Sequence, residues 1–292
     1  MKYEVISKYS STFSVRKMCK VLELDPSNYY RWKRAEDKRK QRIFDELKLV
    51  KQVEKVFKDS DKTYGYRAMQ RALYNEGIEI SEYKVRRIMR ENGFYPETRT
   101  KYKPTHNGKT DGKYHKNLLQ QNFKTEKKNQ VWVGDITYIK TQIGWVYLAV
   151  VMDLYNREVI GYSISKKIDT ELVKQALSNA IARQGREEGL IFHSDPGCQY
   201  SSKGYHKMLK EHNITGSMSR PGCPYDNSCM ESFFATLKKE RIYRREYGTM
   251  EDVQRDMFRY IELFYNRKRL HSVLGYMSPV SYRLEYDGMN VA

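Results

Sequence analysis

No run of apolar residues in this chain approaches the length of a membrane span, and the start lacks the apolar stretch of a secretory signal. Cysteine is scarce: Cys19, Cys198, Cys223 and Cys229 show no C-x-x-C spacing. That excludes a disulfide framework or zinc knuckle and fits a reducing compartment. None of the six histidines precedes His106, which excludes an amino-terminal His/Cys zinc domain. No Gly-rich, Lys-bearing phosphate cradle is present. The expectation is a soluble cytoplasmic, nucleoid-associated protein with no membrane partner.

Acidic residues are outnumbered, 36 Asp+Glu against 54 Lys+Arg, a net charge of +18 over 292 residues. Residues 1–130 hold 32 Lys+Arg against 17 Asp+Glu; residues 131–292 hold 22 against 19. A basic excess of this size predicts a polyanionic partner. Its concentration in the first half assigns DNA holding there and a conventional core to the second.

Residues 14–34 read as two short helices around a turn. Ser14 can cap the first, and Pro26 suits the first turn of the second, which carries Arg31, Trp32 and Lys33. This is the plan of a helix-turn-helix segment, set at 1–40. Residues 41–96 read as a second such unit. A helix over 42–58 has Ile43, Leu47, Val50, Val53 and Phe57 on one stripe. Tyr64-Gly-Tyr66 opens the next helix and Gly77 ends it. Ser81 caps a third, with Val85, Ile88 and Met89 inward and Lys84, Arg86, Arg87 and Arg90 around them as candidate DNA contacts. Residues 97–128 lose periodicity and read as a basic, DNA-tracking linker.

From residue 129 the pattern turns to strands at 130–139, 144–153 and 158–165, with connections short enough for antiparallel hairpins. A helix to about residue 183, a strand at 190–193, a helix over 202–212 and a strand at 214–219 follow. The order predicts a mixed α/β sheet with helices on its faces, spanning 129–245. Helices near 227–242 and 251–267 end the pattern, the latter within a helical extension over 246–292.

Three acids occupy telling places. Asp135 lies in the strand run Val131-Trp-Val-Gly-Asp-Ile-Thr-Tyr-Ile139 and shares a face with apolar neighbours. Asp195 sits just past a strand end, where open sheets bind ligands. Glu231 lies in the first turns of a helix, with thirty-five residues between it and Asp195. Buried carboxylates are costly unless paired or metal-bound. Three converging would hold two Mg²⁺ ions, the equipment for in-line attack on a phosphodiester. Asp153 and Glu158 are rival acids. His193 is either a hydrogen-bonding partner behind Asp195 or a packed strand histidine. Asn227 is expected to cap the Glu231 helix. Lys238, two turns beyond Glu231, is a candidate for a DNA phosphate. The stretch 219–225 reads as a mobile loop with Gly222 as hinge.

Three motifs in this order are Trp132-Val-Gly-Asp135-Ile-Thr-Tyr138, His193-Ser-Asp195-x-Gly-x-Gln-Tyr200 and Ser219-Arg-Pro-Gly-x-Pro-Tyr-Asp-Asn227-x-x-x-Glu231. With Tyr64-Gly-Tyr-Arg67 and the ending Tyr265-Asn-x-x-Arg-x-His271-x-x-Leu-Gly-Tyr276, they resemble the family-three insertion-sequence transposases, in particular their second-reading-frame product. The resemblance covers nearly the whole chain. It implies a ribonuclease-H-like core of the retroviral-integrase superfamily and a D-D-E triad of Asp135, Asp195 and Glu231. It implies two Mg²⁺ ions, replaceable by Mn²⁺, and cleavage of transposon ends followed by strand transfer into target DNA. It also implies a homo-oligomeric synaptic complex and a first-frame helix-turn-helix/zipper partner. The chain starts at Met1 without sustained heptads, so the second-frame product alone is expected. Two other functions fit the residues less fully: a non-catalytic DNA-binding regulator, and a nuclease of the same fold that hydrolyses without joining.

Overall fold

The computed structural model describes residues 2–98, 115–185 and 187–289. Helices α1 (Lys2–Tyr9), α2 (Val15–Val21) and α3 (Pro26–Arg34) form a small unit. Its buried core is Ile6, Cys19 and Tyr29. The sequence pattern predicts only two helices here; α1 escapes it because one of its eight residues, Ile6, is buried. Ser14 stands at the cap position of α2, but its side chain makes no capping bond. The working cap is Asp25, which accepts the Ser27 N–H at 2.6 Å and starts α3.

A long helix, α4 (Glu36–Asp59), leads to α5 (Tyr66–Asn75) and α6 (Glu82–Glu91). Val53, Val56, Phe57, Met69, Leu73, Val85 and Ile88 pack together in this second unit. The predicted inward stripe of α4 holds only over its last turns. Ile43 and Leu47 are 61% and 58% exposed, because that part of the helix runs between the two units rather than through either core. Ser81 caps α6 by accepting the Lys84 N–H, as its position predicts.

Five strands build one sheet: β1 (Val131–Thr141), β2 (Gly144–Asp153), β3 (Val159–Ser165), β4 (Ile191–Ser194) and β5 (Thr215–Met218). Their order is β3-β2-β1-β4-β5, with β1–β2 and β2–β3 antiparallel and β1–β4 and β4–β5 parallel. The parallel partners are reached through α7 (Thr170–Gln184) and α8 (Lys203–Glu211). Strand alternation divides the apolar residues between two faces. Val131, Val133 and Ile139 pack toward Met230, Phe233 and Leu237 of α9 (Ser228–Glu240). Trp132, Ala149 and Val151 pack toward Leu172, Val173 and Leu177 of α7. Each fully buried aliphatic side chain stabilises this packing by about 1.5–3 kcal/mol.

Two glycines set close approaches. A Cβ at Gly134 would lie 2.5 Å from the Phe192 ring, and one at Gly161 would lie 2.4 Å from the Ala176 carbonyl. The first keeps β4 close beside β1; the second seats α7 on β3.

After α9 come α10 (Met250–Phe258), a π-helical continuation Arg259–Tyr265, and α11 (Pro279–Met289), which the sequence pattern does not reveal. Val253, Met257, Tyr260 and Ile261 join the cluster under α9, so the carboxyl-terminal extension shares the core of the sheet domain. Phe264 and Leu270 pack against the second helical unit. Of the expected linker over 97–128, residues 99–114 lie outside the described residues. Residues 115–128 are not free of the core: Leu119 is buried, and the Leu118 N–H donates to Ser217 Oγ at 3.0 Å. Among the described residues, no helix is long and apolar enough to cross a membrane.

Candidate active site

β1 pairs with β4 only over Val131–Gly134, so among the described residues no strand lies beside that edge of β1 from Asp135 onward. α9 packs against β1, and a cleft of about 450 Å³ opens between them. Asp135, Glu231 and Lys238 line it. Asp195 follows β4, the parallel neighbour of β1, and its charge is felt at Asp135. Burial, and next the Asp195 carboxylate, push Asp135 up to about 8; Glu231 adds to the rise, while the Ile136 N–H and Lys238 oppose it. Asp195 is also raised, by burial first, with Ser219 and Asn227 lowering it. The three acids on three separate elements therefore meet in one electrostatic neighbourhood.

Their supports are specific. Asp135 Oδ1 accepts the Ile136 N–H at 2.7 Å. Asp195 Oδ1 accepts the Ser219 hydroxyl at 2.8 Å. Ser219 Oγ in turn lies 3.2 Å from His193 Nε2, and His193 Nδ1 lies 2.8 Å from Ser217 Oγ. Ser217 already accepts the Leu118 N–H. Only one proton arrangement satisfies every member: Ser217 donates to Nδ1, Nε2–H donates to Ser219, and Ser219 donates to Asp195. His193 is fully buried, and burial lowers it to about 4, which keeps it the neutral ring this arrangement needs. His193 thus stands behind Asp195, one hydroxyl removed. Ser219 has no local sequence signal for this role; only its place two residues after His193's own partner, Ser217, hints at it.

Asn227 occupies the N-cap position of α9 but makes no side-chain capping bond, contrary to the expectation. The backbone there is a short 3₁₀ turn, Pro224–Asn227, and the buried amide instead donates to the Gly134 carbonyl at 3.4 Å. Asp226 pins the loop before it. It accepts from the Arg220 N–H and guanidinium, Asn117 and Gln121, and this hydrogen bonding holds its carboxyl well below the usual range. Gly222, the expected hinge, has φ +75°.

The rival acids serve elsewhere. Asp153 is buried, pushed up to about 6 by that burial, and accepts the Asn129 and Tyr155 N–H groups. Glu158 is buried against Asn156 and Arg283. Tyr200 is buried, and that burial pushes its phenol well above its ordinary value.

Lys238 sits with its Nζ 4.7 Å from the centre of the Tyr138 ring. Of the candidate DNA contacts, Arg31 and Lys33 are exposed on α3, and Arg86 and Arg90 are exposed on α6. Arg87 pairs with Glu46 of α4, and Lys84 lies 3.5 Å from the same carboxylate, so these two also tie α6 to α4.

Among the described residues, no group of three His, Cys, Asp or Glu side chains is placed to hold a metal ion. The donor set at the cleft is nonetheless all carboxylate, the hard oxygen chemistry that Mg²⁺ and Mn²⁺ take. Burial and, after it, the charges of Asp195 and Glu231 disfavour an ionised Asp135, a cost that a divalent cation would relieve. In donor chemistry, the residues present fit such an ion.

Residues 125–224 and 231–285 match families described as integrase core domains, and residues 45–102 match an HTH-like domain. Over 296 residues the chain is 38% identical to the transposase InsF for insertion sequence IS3A of Escherichia coli (strain K12), covering all of both chains. It is 36% identical over 272 residues to an uncharacterized 31 kDa protein of insertion element IS600 from Shigella sonnei, covering 93% of this chain and 99% of that one. The BIV integrase catalytic core is a solved structure with 19% identity and a TM-score of 0.43, covering 56% of this chain and 99% of that one. Fold and matched domains define an integrase-core enzyme with a ribonuclease-H-like sheet and a helix-turn-helix-like unit before it. The chain belongs to the IS3 family of transposases.

Proposed function

We propose that the protein cleaves the DNA ends of its insertion sequence and joins them to target DNA by a metal-dependent D-D-E mechanism. What supports this reading is the placement of Asp135 and Glu231 in one cleft with Lys238, and of Asp195 at the end of the strand beside β1, where its charge is felt at Asp135. These three carboxylates would hold two Mg²⁺ ions, with Mn²⁺ as substitute. Bound there, the ions supply activation of the attacking oxygen and charge stabilisation of the leaving one.

The chain's own side chains orient and exclude. The Ile136 N–H holds one oxygen of Asp135, and the relay from Ser217 through His193 and Ser219 holds one oxygen of Asp195. Lys238 meets a phosphate of the strand being cut. Arg31 and Lys33 on α3, and Lys84, Arg86, Arg87 and Arg90 on α6, contact the duplex, with Arg87 and Lys84 doing so from positions already bound to Glu46. The active form is a homo-oligomer on paired ends, and a first-frame product with helix-turn-helix and zipper is a candidate partner.

The experiment is a strand-joining assay with labelled end duplex, target DNA and Mg²⁺. Cleavage and joined products are expected from the wild type. Asp135→Asn, Asp195→Asn and Glu231→Gln should each lose both steps by about a thousandfold or more while retaining end binding. Survival of cleavage in any of the three refutes the triad. End binding without any cleavage in Mg²⁺ or Mn²⁺ favours the regulator, and hydrolysis without joining favours the nuclease.

A further inference from the structure

The cleft beside the triad presents aromatic faces that phosphodiester chemistry does not use. Tyr138 on β1 and Trp145 on β2 meet edge to face, with ring centroids 5.3 Å apart and planes at 86°. Register explains the pairing. Tyr138 lies opposite Tyr147 and Lys140 opposite Trp145, so Tyr138 and Trp145 are diagonal neighbours on one face of the hairpin. Both line the same cleft as Asp135, Glu231 and Lys238. Trp145 is 50% exposed, whereas Trp132 on the neighbouring strand is fully buried. An indole left half in water at the lip of a reaction cleft has a face to offer.

The surroundings narrow what that face takes. Lys238 already stands over the Tyr138 ring, and Lys140, Lys239 and Arg245 lie around the same opening. Aromatic faces interleaved with cations are how grooves for single-stranded nucleic acid are built, because any base can stack and any phosphate can pair. A cleft of about 450 Å³ has the size of a small-ligand pocket, not of a duplex surface. The four cations also favour a polyanion over a second copy of the same basic patch.

We propose that this cleft binds an unpaired nucleobase of the strand being cut, stacked on the exposed Trp145 indole, which Tyr138 braces edge to face, with Lys238 and Arg245 at the flanking phosphates. The inference rests on the reading of the cleft as a DNA-cutting site and adds what holds the strand there. Taking one base out of the duplex separates the scissile phosphate from its stacked neighbours and brings the strand down to Asp135 and Glu231.

The test uses the full chain and end duplexes with abasic sites introduced one at a time across the nucleotides flanking the scissile bond. Equilibrium affinity is measured with Ca²⁺ and single-turnover cleavage with Mg²⁺, for wild type, Trp145→Phe and Trp145→Ala, each checked by thermal melting. Trp145→Ala should lose affinity on the order of tenfold on the intact end, while Trp145→Phe stays close to wild type. At one flanking position the abasic end should cost the wild type the same factor and cost Trp145→Ala nothing more. Losses that multiply at every position, or intact affinity in Trp145→Ala, overturn the base site. Trp145-dependent binding by a wild type that never cuts overturns the cleavage reading and leaves the base site standing.

Discussion

The two amino-terminal helical units look alike in sequence and are held in opposite ways. The first closes on its own small core of Ile6, Cys19 and Tyr29. The second shares its core with Phe264 and Leu270 from the far end of the chain. Tyr64 Oη donates to the Lys268 carbonyl at 2.9 Å and accepts the Leu270 N–H at 3.1 Å. Arg241 reaches Asp61 at 2.7 Å, and Arg244 reaches Glu97 at 3.0 Å. The second unit is thereby locked to the end of α9, the helix that carries Glu231, while the first stands beyond the half-exposed stretch of α4. A basic helix read from sequence is a DNA face only to the extent that its cations are not already engaged inside the protein.

The contrast breaks most sharply at Asp256. Its carboxylate takes two hydrogen bonds from Arg241, at 2.9 and 2.6 Å, and one from Tyr247 at 2.9 Å. Asp256→Ala leaves a largely buried guanidinium short of its main partner and should cost about 3–5 kcal/mol of stability. Calorimetry should show the sheet domain and second helical unit melting earlier together. If the second unit instead keeps its own unchanged transition, the two are not one body.

A smaller effect is expected from pH. Burial, then Arg269 and Arg157, lower His271 to about 3, against about 6.5 in an unfolded chain. A depressed histidine means the unfolded state binds the proton first, so its contribution is complete above pH 6.5 and is lost as pH falls toward 3. His271→Phe should remove about one proton of uptake from acid unfolding over that window. An unchanged pH slope contradicts the assignment.

The smallest effect sharpens the comparison of the helices themselves. Arg31→Ala should lower the salt slope of end binding by about 1 and leave thermal stability unchanged. Arg87→Ala should lower stability by about 1 kcal/mol through loss of Glu46, with a weaker effect on the slope. Equal slopes for the two variants would erase the distinction.

Much of the catalytic domain is legible in sequence because its signals are local. β2 spans the predicted 144–153, and Ser81 caps its helix where its side chain predicts. Asp135 stands out because a carboxylate within an apolar strand breaks a period-two pattern, and Asp195 because it follows a strand end. What stays illegible is held by contacts distant in sequence. Asn117 and Gln121 bond to Asp226 across about a hundred residues, so the segment carrying them reads as linker. Ser219 supports Asp195 through a hydroxyl with no periodic trace. Ile43 and Leu47 fit an inward stripe, but nothing in the periodicity says that α4 outruns its core.

Most direct for the central claim is a count of Mn²⁺ ions bound to the protein–end complex by electron paramagnetic resonance. Two ions per active site are expected in the wild type, with the count falling in each of Asp135→Asn, Asp195→Asn and Glu231→Gln. An unchanged count in any one of these variants would contradict the assignment of that carboxylate as a metal ligand.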